Sequence, residues 1–218
     1  MINETTHFIT YYHETEVILA KQFITLLEAK YEEIQKAFQF KEATQKYAFY
    51  LCKNVEEYIE KTGKTKEEYQ EWMVGHSNVD THTICLLSPN ASTEAAHQDR
   101  KKVAVHELVH MMCDDATGVA EEDVEVWIAE GIAVLYAEQT ELQYVSKTEY
   151  PKLAELVGFD NFVDNGGYDY AGIYVWYFIK RFGFEKFLEV YRGECEWQTL
   201  IFNGFEAEAV REFVKENQ

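Results

Sequence analysis

Hydrophobic positions in the first half of the chain recur with two different periods, which predict both helices and strands. Between residues 14 and 40 the apolar side chains follow one another at steps of three and four, as on one face of a helix. Residues 46–52 and 81–87 are instead short aromatic or β-branched runs, which are typical of strands. Asn54 and Thr65 are each followed by a glutamate three residues later, so both predict the start of another helix.

The second half of the chain shows the helical period alone. The pattern predicts helices at 98–113, 124–139, 149–157, 168–182, 184–192 and 205–217. Gly118 supplies the turn that ends the first of them. The order of elements, with strands and helices first and helices alone afterwards, predicts an α+β fold. Its N-terminal lobe is mixed α/β and its C-terminal lobe is all-helical. We expect one domain, 1–218, with an upper lobe at about 1–117 and a lower lobe at about 118–218.

The helix at 98–113 carries two histidines four residues apart, His106 and His110. On a helix they share one face about one turn apart, where two neutral imidazoles can bind one zinc ion. Glu107 lies beside them and is placed to act as general base on a metal-bound water. The surrounding side chains are almost uniformly apolar, and buried histidines beside a buried carboxylate need a strong partner such as a divalent cation.

A catalytic zinc ion takes three protein ligands and leaves its fourth position to water, so one more ligand is required. No histidine follows His110, which excludes a third histidine further along the chain. Glu130 lies in another apolar helix and is the best candidate, because its carboxylate also needs a partner there. Cys113 and Asp114 remain alternatives, although a ligand at the end of the same helix would meet the ion poorly.

These residues resemble a known family. The HExxH motif, followed after nineteen residues by the glutamate of Trp127-Ile-Ala-Glu-Gly-Ile-Ala133, is similar to the gluzincin branch of the zincin metallopeptidases. That branch includes thermolysin and the aminopeptidase-N-like enzymes. The segment 168–183 also resembles the tyrosine-led helix that follows the glutamate helix in many small gluzincin-like proteins. The resemblance covers the chain from about residue 82 to the C-terminus, and it implies a zincin-like fold.

The resemblance implies a role for each motif residue. It makes the zinc ligands His106, His110 and Glu130, the general base Glu107 and the oxyanion donor Tyr168. Tyr170 and Tyr174 compete for the last role. In gluzincins the strand before the active-site helix lies at the sheet edge and pairs with extended substrate. The resemblance therefore implies a substrate-binding strand at Ile84, Cys85, Leu86 and Leu87, with an interior strand as the alternative.

The sequence departs from the family at one position. Thermolysin-like enzymes carry an aspartate one turn after the glutamate ligand, where it orients a zinc-binding histidine, and this chain has Val134 there. The histidines still need an acceptor for their second ring nitrogen. Asp114, Asp115 and backbone carbonyls remain open candidates for it.

The motifs together predict a zinc-dependent metallopeptidase that acts on a peptide or protein substrate. The chain lacks the Gly-x-Met-Glu-Asn motif by which the aminopeptidase branch captures a free amine, which favours an endopeptidase. Two alternatives remain: a catalytically silent zincin scaffold that binds zinc and a partner protein, and a self-inhibited form in which the helix at 205–217 fills the active-site cleft.

Charge and composition exclude several other classes. The net charge of −19 argues against nucleic acid and anionic membranes as partners, since both require basic patches. The four cysteines show no close spacing, so a disulfide framework is not expected. The first residues lack a signal-peptide pattern and no apolar run reaches the length of a membrane span, so we expect a cytoplasmic protein.

Overall fold

The computed structural model describes residues 1–38, 45–91 and 98–217. Its strands are β1 (Ile2–Glu4), β2 (Phe8–Tyr11), β3 (Tyr47–Cys52), β4 (Gly75–Asn78) and β5 (Thr83–Leu87). Its helices are α1 (Val17–Phe38), α2 (Val55–Thr62), α3 (Arg100–Thr117), α4 (Val126–Tyr136), α5 (Phe159–Asp164), α6 (Gly167–Phe182), α7 (Phe184–Tyr191) and α8 (Phe205–Asn217). The fold class is α+β, as the sequence predicts. Among the described residues, no helix combines the length and the apolar character that a membrane crossing requires.

The chain divides into two compact units, Met1–Met112 and Cys113–Gln218. Every strand that the structure describes belongs to the first unit. The described part of the second unit contains helices and short 3-10 turns.

The five strands of the first unit form one sheet in the order β1-β2-β3-β5-β4. The three central strands are parallel, while β1 and β4 run antiparallel to their neighbours. Helix α1 packs its buried stripe on this sheet, with Phe23 against Phe49 at 5.8 Å between ring centroids. The predicted helix at 14–40 is confirmed as Val17–Phe38, and residues 39 and 40 lie outside the described part of the chain.

The position of β5 corrects the prediction of a substrate-binding edge strand. All four residues, Ile84, Cys85, Leu86 and Leu87, are buried and pair with β3, and the first three also pair with β4 on the other side. The prediction was wrong because β4 takes the outer position of the sheet. Its sequence, Gly-His-Ser-Asn, has no hydrophobic alternation from which a strand could be recognised.

Two predicted helices do not form as expected. The Thr65 capping box is present, with Glu68 N–H donating to Thr65 Oγ1 at 3.3 Å, but the chain makes only a turn there. In the segment 149–157 only the 3-10 turn Leu153–Glu155 is helical. A capping box satisfies backbone groups at a helix start, but a helix is stabilised by burying an apolar face. The Asn54 box, in contrast, opens α2 as predicted, with Glu57 N–H donating to Asn54 Oδ1 at 2.9 Å.

The second unit is built around the contact of α4 with α6. Glycine lets the two helices approach closely at two points. A Cβ atom on Gly131 would lie 2.7 Å from the carbonyl oxygen of Ala171, and one on Gly172 would lie 2.7 Å from Val134 Cγ1. Helix α8 packs on α6 as well, with Phe205 against Tyr177 at 5.1 Å between ring centroids.

Candidate metal centre

Helix α3 presents the two motif histidines on one face, as their spacing predicts. His106 and His110 are both buried, at 8% and 5% exposure. Their Nε2 atoms lie 2.9 Å apart, so both rings direct the same nitrogen towards one point. The helix continues for about two turns beyond the motif and ends at Thr117. Gly118 then adopts φ +68°, and its N–H donates to Asp114 O at 2.7 Å.

The structure brings Glu130 to these two histidines. Glu130 lies in α4 and is 8% exposed. One possible ligand atom of each of the three residues lies within 4.8 Å of the others. Because its ligand atoms lie this close together, the buried His-His-Glu group can hold a metal ion. A cation would also offset the cost of taking the carboxylate out of water.

The group fits zinc in its dimensions and in its chemistry. Zinc binds histidine nitrogen and carboxylate oxygen at about 2.0–2.2 Å in tetrahedral geometry, so two ligand atoms on one ion are roughly 3.3–3.6 Å apart. The candidate ligand atoms lie within 4.8 Å of one another, so side-chain shifts of about 1 Å would bring them to that spacing. Two imidazoles and one carboxylate are also the donor set of catalytic zinc sites that keep a position open for water.

Helix packing determines the surroundings of Glu130 and of Val134, the residue one turn later on α4. Gly131 follows the ligand directly and sits against the backbone of α6 at Ala171. Val134 is fully buried and fills the space that Gly172 leaves open on α6. A charged side chain at position 134 would therefore enter an apolar contact, and the acceptors for the histidine rings remain those that the sequence leaves open.

Cys113, one of the alternative ligands, belongs to the core. Its side chain is fully buried and contacts Tyr191. Burial raises the pKa of the Cys113 thiol well above its ordinary value, which disfavours the thiolate that a metal ligand must supply. The grouping of ligand atoms includes Glu130 and neither Cys113 nor Asp114.

Glu107 contacts strand β4, a contact that the sequence did not reveal. The hydroxyl of Ser77 donates a hydrogen bond to Glu107 Oε2 at 2.8 Å. Gly75, two residues earlier on the same strand, lies directly against the Glu107 side chain. Nothing in the sequence around Ser77 points to this contact, since it depends on the pairing of β4 with β5.

The three candidate tyrosines have different surroundings. Tyr170 Oη accepts from the N–H of Ser146 at 2.9 Å and donates to Glu149 O at 3.1 Å. Tyr174 Oη donates to Pro151 O at 2.7 Å, and burial raises the pKa of that hydroxyl. These two hydroxyls therefore hold the segment 146–151 in place. Tyr168 is 39% exposed and packs the edge of its ring on Phe162, so it remains the predicted oxyanion donor.

Comparison of the chain with family models, with curated proteins and with solved structures gives no match.

Proposed function

We propose that the protein is a zinc-dependent metallopeptidase that hydrolyses internal peptide bonds. One observation carries the proposal: the two buried imidazoles of α3, the helix that also bears Glu107, come within 4.8 Å of the buried carboxylate of Glu130 in α4. Structural zinc sites close all four positions with protein ligands, whereas three ligands leave room for water and substrate. The peptidase class itself rests on the resemblance of the HExxH motif and its glutamate to the gluzincins.

The roles of the residues follow from their chemistry. His106, His110 and Glu130 would hold the ion, which when bound supplies a Lewis acid and lowers the pKa of a coordinated water. Glu107 takes a proton from the attacking water and then delivers it to the leaving amine. The hydroxyl of Tyr168 donates a hydrogen bond to the oxygen on which negative charge develops.

The decisive experiment measures metal content and peptide cleavage on the same preparation. Purified protein is loaded with one equivalent of zinc and incubated with a peptide library that is blocked at both termini. An aminopeptidase requires a free amine, so cleavage of blocked peptides identifies endopeptidase action. We expect internal cleavage by the wild type, with loss of at least about a hundredfold in Glu107→Gln at unchanged zinc content.

Matched controls are available in the same chain. Glu60→Gln alters an exposed glutamate whose carboxylate accepts a hydrogen bond from Lys61 at 2.8 Å, and it should leave cleavage and zinc unchanged. Stoichiometric zinc without cleavage of any peptide would instead support the scaffold that binds zinc and a partner protein. Failure of the protein to retain any divalent metal would contradict both the metallopeptidase and the zinc-binding scaffold.

A further inference from the structure

We propose that strand β4 holds the general base in place, with Ser77 as the positioning residue and Gly75 as the position that leaves room for the carboxylate. The proposal rests on the proposed function for its catalytic meaning. The structural claim, that β4 fixes the Glu107 carboxylate, can be tested without catalytic activity.

The first observation is the hydrogen bond of Ser77. Its hydroxyl is the donor and Glu107 Oε2 is the acceptor, at 2.8 Å. Hydrogen bonds to a carboxylate are roughly twice as strong as those between neutral groups. A free glutamate side chain samples several rotamers, and this bond restricts the orientation of the carboxylate about its last torsion.

The second observation is the tight contact at Gly75. A Cβ atom at this position would lie 2.7 Å from Glu107 Oε1 and 2.4 Å from Val103 Cγ1. Both distances are shorter than atoms in contact allow, so any larger residue would push the carboxylate or the α3 helix away. Gly75 and Ser77 therefore act on different oxygens of the same carboxylate, one by leaving space and the other by donating.

The third observation is that β4 is itself held firmly. Gly75 pairs with Leu86 and Ser77 with Ile84, two residues of β5 with no exposed surface. The buried Tyr58 donates its hydroxyl to Gly75 O at 2.7 Å, which fixes the strand from α2. A donor on a rigid strand positions its acceptor more accurately than a donor on a loop does.

The catalytic consequence concerns the orientation of the Glu107 carboxylate towards the attacking water. Ser77 binds Oε2 and Gly75 leaves room for Oε1, so β4 constrains both oxygens of the group that accepts the proton. Small displacements of a reacting group lower rates strongly, because the reaction needs short distances and aligned orbitals. Ser77 contributes no atom to the His-His-Glu group, so we expect its loss to leave the metal content unchanged and to act on kcat.

The test compares Ser77→Ala with Ser77→Thr. We expect kcat of Ser77→Ala to fall by about tenfold or more, while KM, zinc content and the unfolding midpoint remain near the wild-type values. Ser77→Thr keeps a hydroxyl and should recover part of the loss. Thr81→Ala, which removes a hydroxyl from the turn between β4 and β5, is the matched control and should leave kcat unchanged.

A double variant separates positioning from general damage. In the Glu107→Gln background, Ser77→Ala should cause no further loss, because the group that Ser77 positions can no longer act as a base. A further tenfold loss there would overturn the proposal, since Ser77 would then act on something else. Unchanged kcat in the single variant would overturn it as well.

A crystal structure of Ser77→Ala tests whether Ser77 holds the Glu107 carboxylate in place, and it does so without a measurement of catalysis. We expect the Glu107 carboxylate to rotate away from its wild-type position or to occupy several positions. A carboxylate that stays in place would overturn the proposal even in an active enzyme. If the wild type cleaves nothing, the proposed function fails, and displacement of the carboxylate still supports the positioning role of Ser77.

Discussion

Val134 of α4 packs directly against Gly172 of α6, where a glycine Cβ atom would lie only 2.7 Å from the valine Cγ1. The contact lies one helical turn beyond Glu130 on the same helix. The packing of α4 on α6 therefore supports the stretch of α4 that carries this candidate ligand.

This contact predicts a compensating pair of substitutions. Gly172→Ala should lower the free energy of unfolding by about 1–3 kcal/mol, because the new methyl group overpacks the helix contact. Val134→Ala alone should also destabilise, through the cavity that it leaves. In the double variant the methyl group of the new alanine at position 172 enters that space. The free energy of unfolding should therefore fall by less than the sum of the two single-variant losses. Denaturant unfolding of the wild type, the two single variants and the double variant measures the coupling energy between positions 134 and 172. Strictly additive losses would contradict the expected compensation.

Removal of the third ligand should release the metal. Glu130→Ala takes away the carboxylate of the buried group, and we expect the zinc content to fall below stoichiometry together with the stabilisation that metal binding provides. Metal analysis after gel filtration and thermal unfolding with and without zinc measure both effects. If Glu130→Ala keeps one zinc ion per chain, another residue is the third ligand.

The tyrosines of α6 should give opposite phenotypes. Tyr168→Phe should lower kcat by about a hundredfold with little change in KM, zinc content or stability, as expected for a donor to developing charge. Tyr170→Phe loses the partners of Ser146 N and Glu149 O, and should destabilise by about 1–3 kcal/mol with kcat near wild type. Kinetics and chemical unfolding distinguish the two. An exchange of the phenotypes would make Tyr170 the donor.

His76 on β4 predicts a pH dependence of stability. Burial, with a smaller contribution from the charge of Lys64, lowers its pKa from 6.5 to about 4. The unfolded chain therefore takes up the proton first, so the free energy of unfolding is highest above pH 6.5 and falls as the pH drops towards 4. Allowing for partial solvent screening, we expect a loss of about 1–2 kcal/mol across that window.

The matched variant for this effect is His76→Asn. Its free energy of unfolding should depend less on pH between 5 and 7.5 than that of the wild type. Equal pH dependence in the two proteins would mean that His76 does not contribute to it.

Helical spacing was enough to predict that His106 and His110 share a face, and burial in an apolar helix pointed to Glu130. These features depend on local periodicity, which is a property of the sequence itself. The role of β4 could not be predicted in this way. Ser77 reaches Glu107 because residues 83–86 pair with the strand and Tyr58 binds its backbone. Such non-local contacts leave no pattern in a four-residue polar segment.

The Thr65 and Asn54 segments show that a local capping pattern alone does not predict a helix. The Thr65 segment forms both hydrogen bonds of a capping box, while Asn54 accepts only from Glu57 N–H and Glu57 accepts from Lys53 N–H, yet only the Asn54 segment continues as a helix. What distinguishes them is burial: α2 places Tyr58 fully inside, whereas Trp72 after the Thr65 turn is 48% exposed. Local chemistry predicts where a helix can start, and packing decides whether it continues.

The sheet order has a consequence for the behaviour of the protein in concentrated solution. Long hydrophobic strands at the ends of a sheet allow molecules to pair through their open backbone and to aggregate. Here the apolar strands β3 and β5 lie inside, and the outer positions belong to the three-residue β1 and the polar β4. Short polar strands at both ends offer little template for intermolecular pairing, so this sheet is protected against association through its backbone edges.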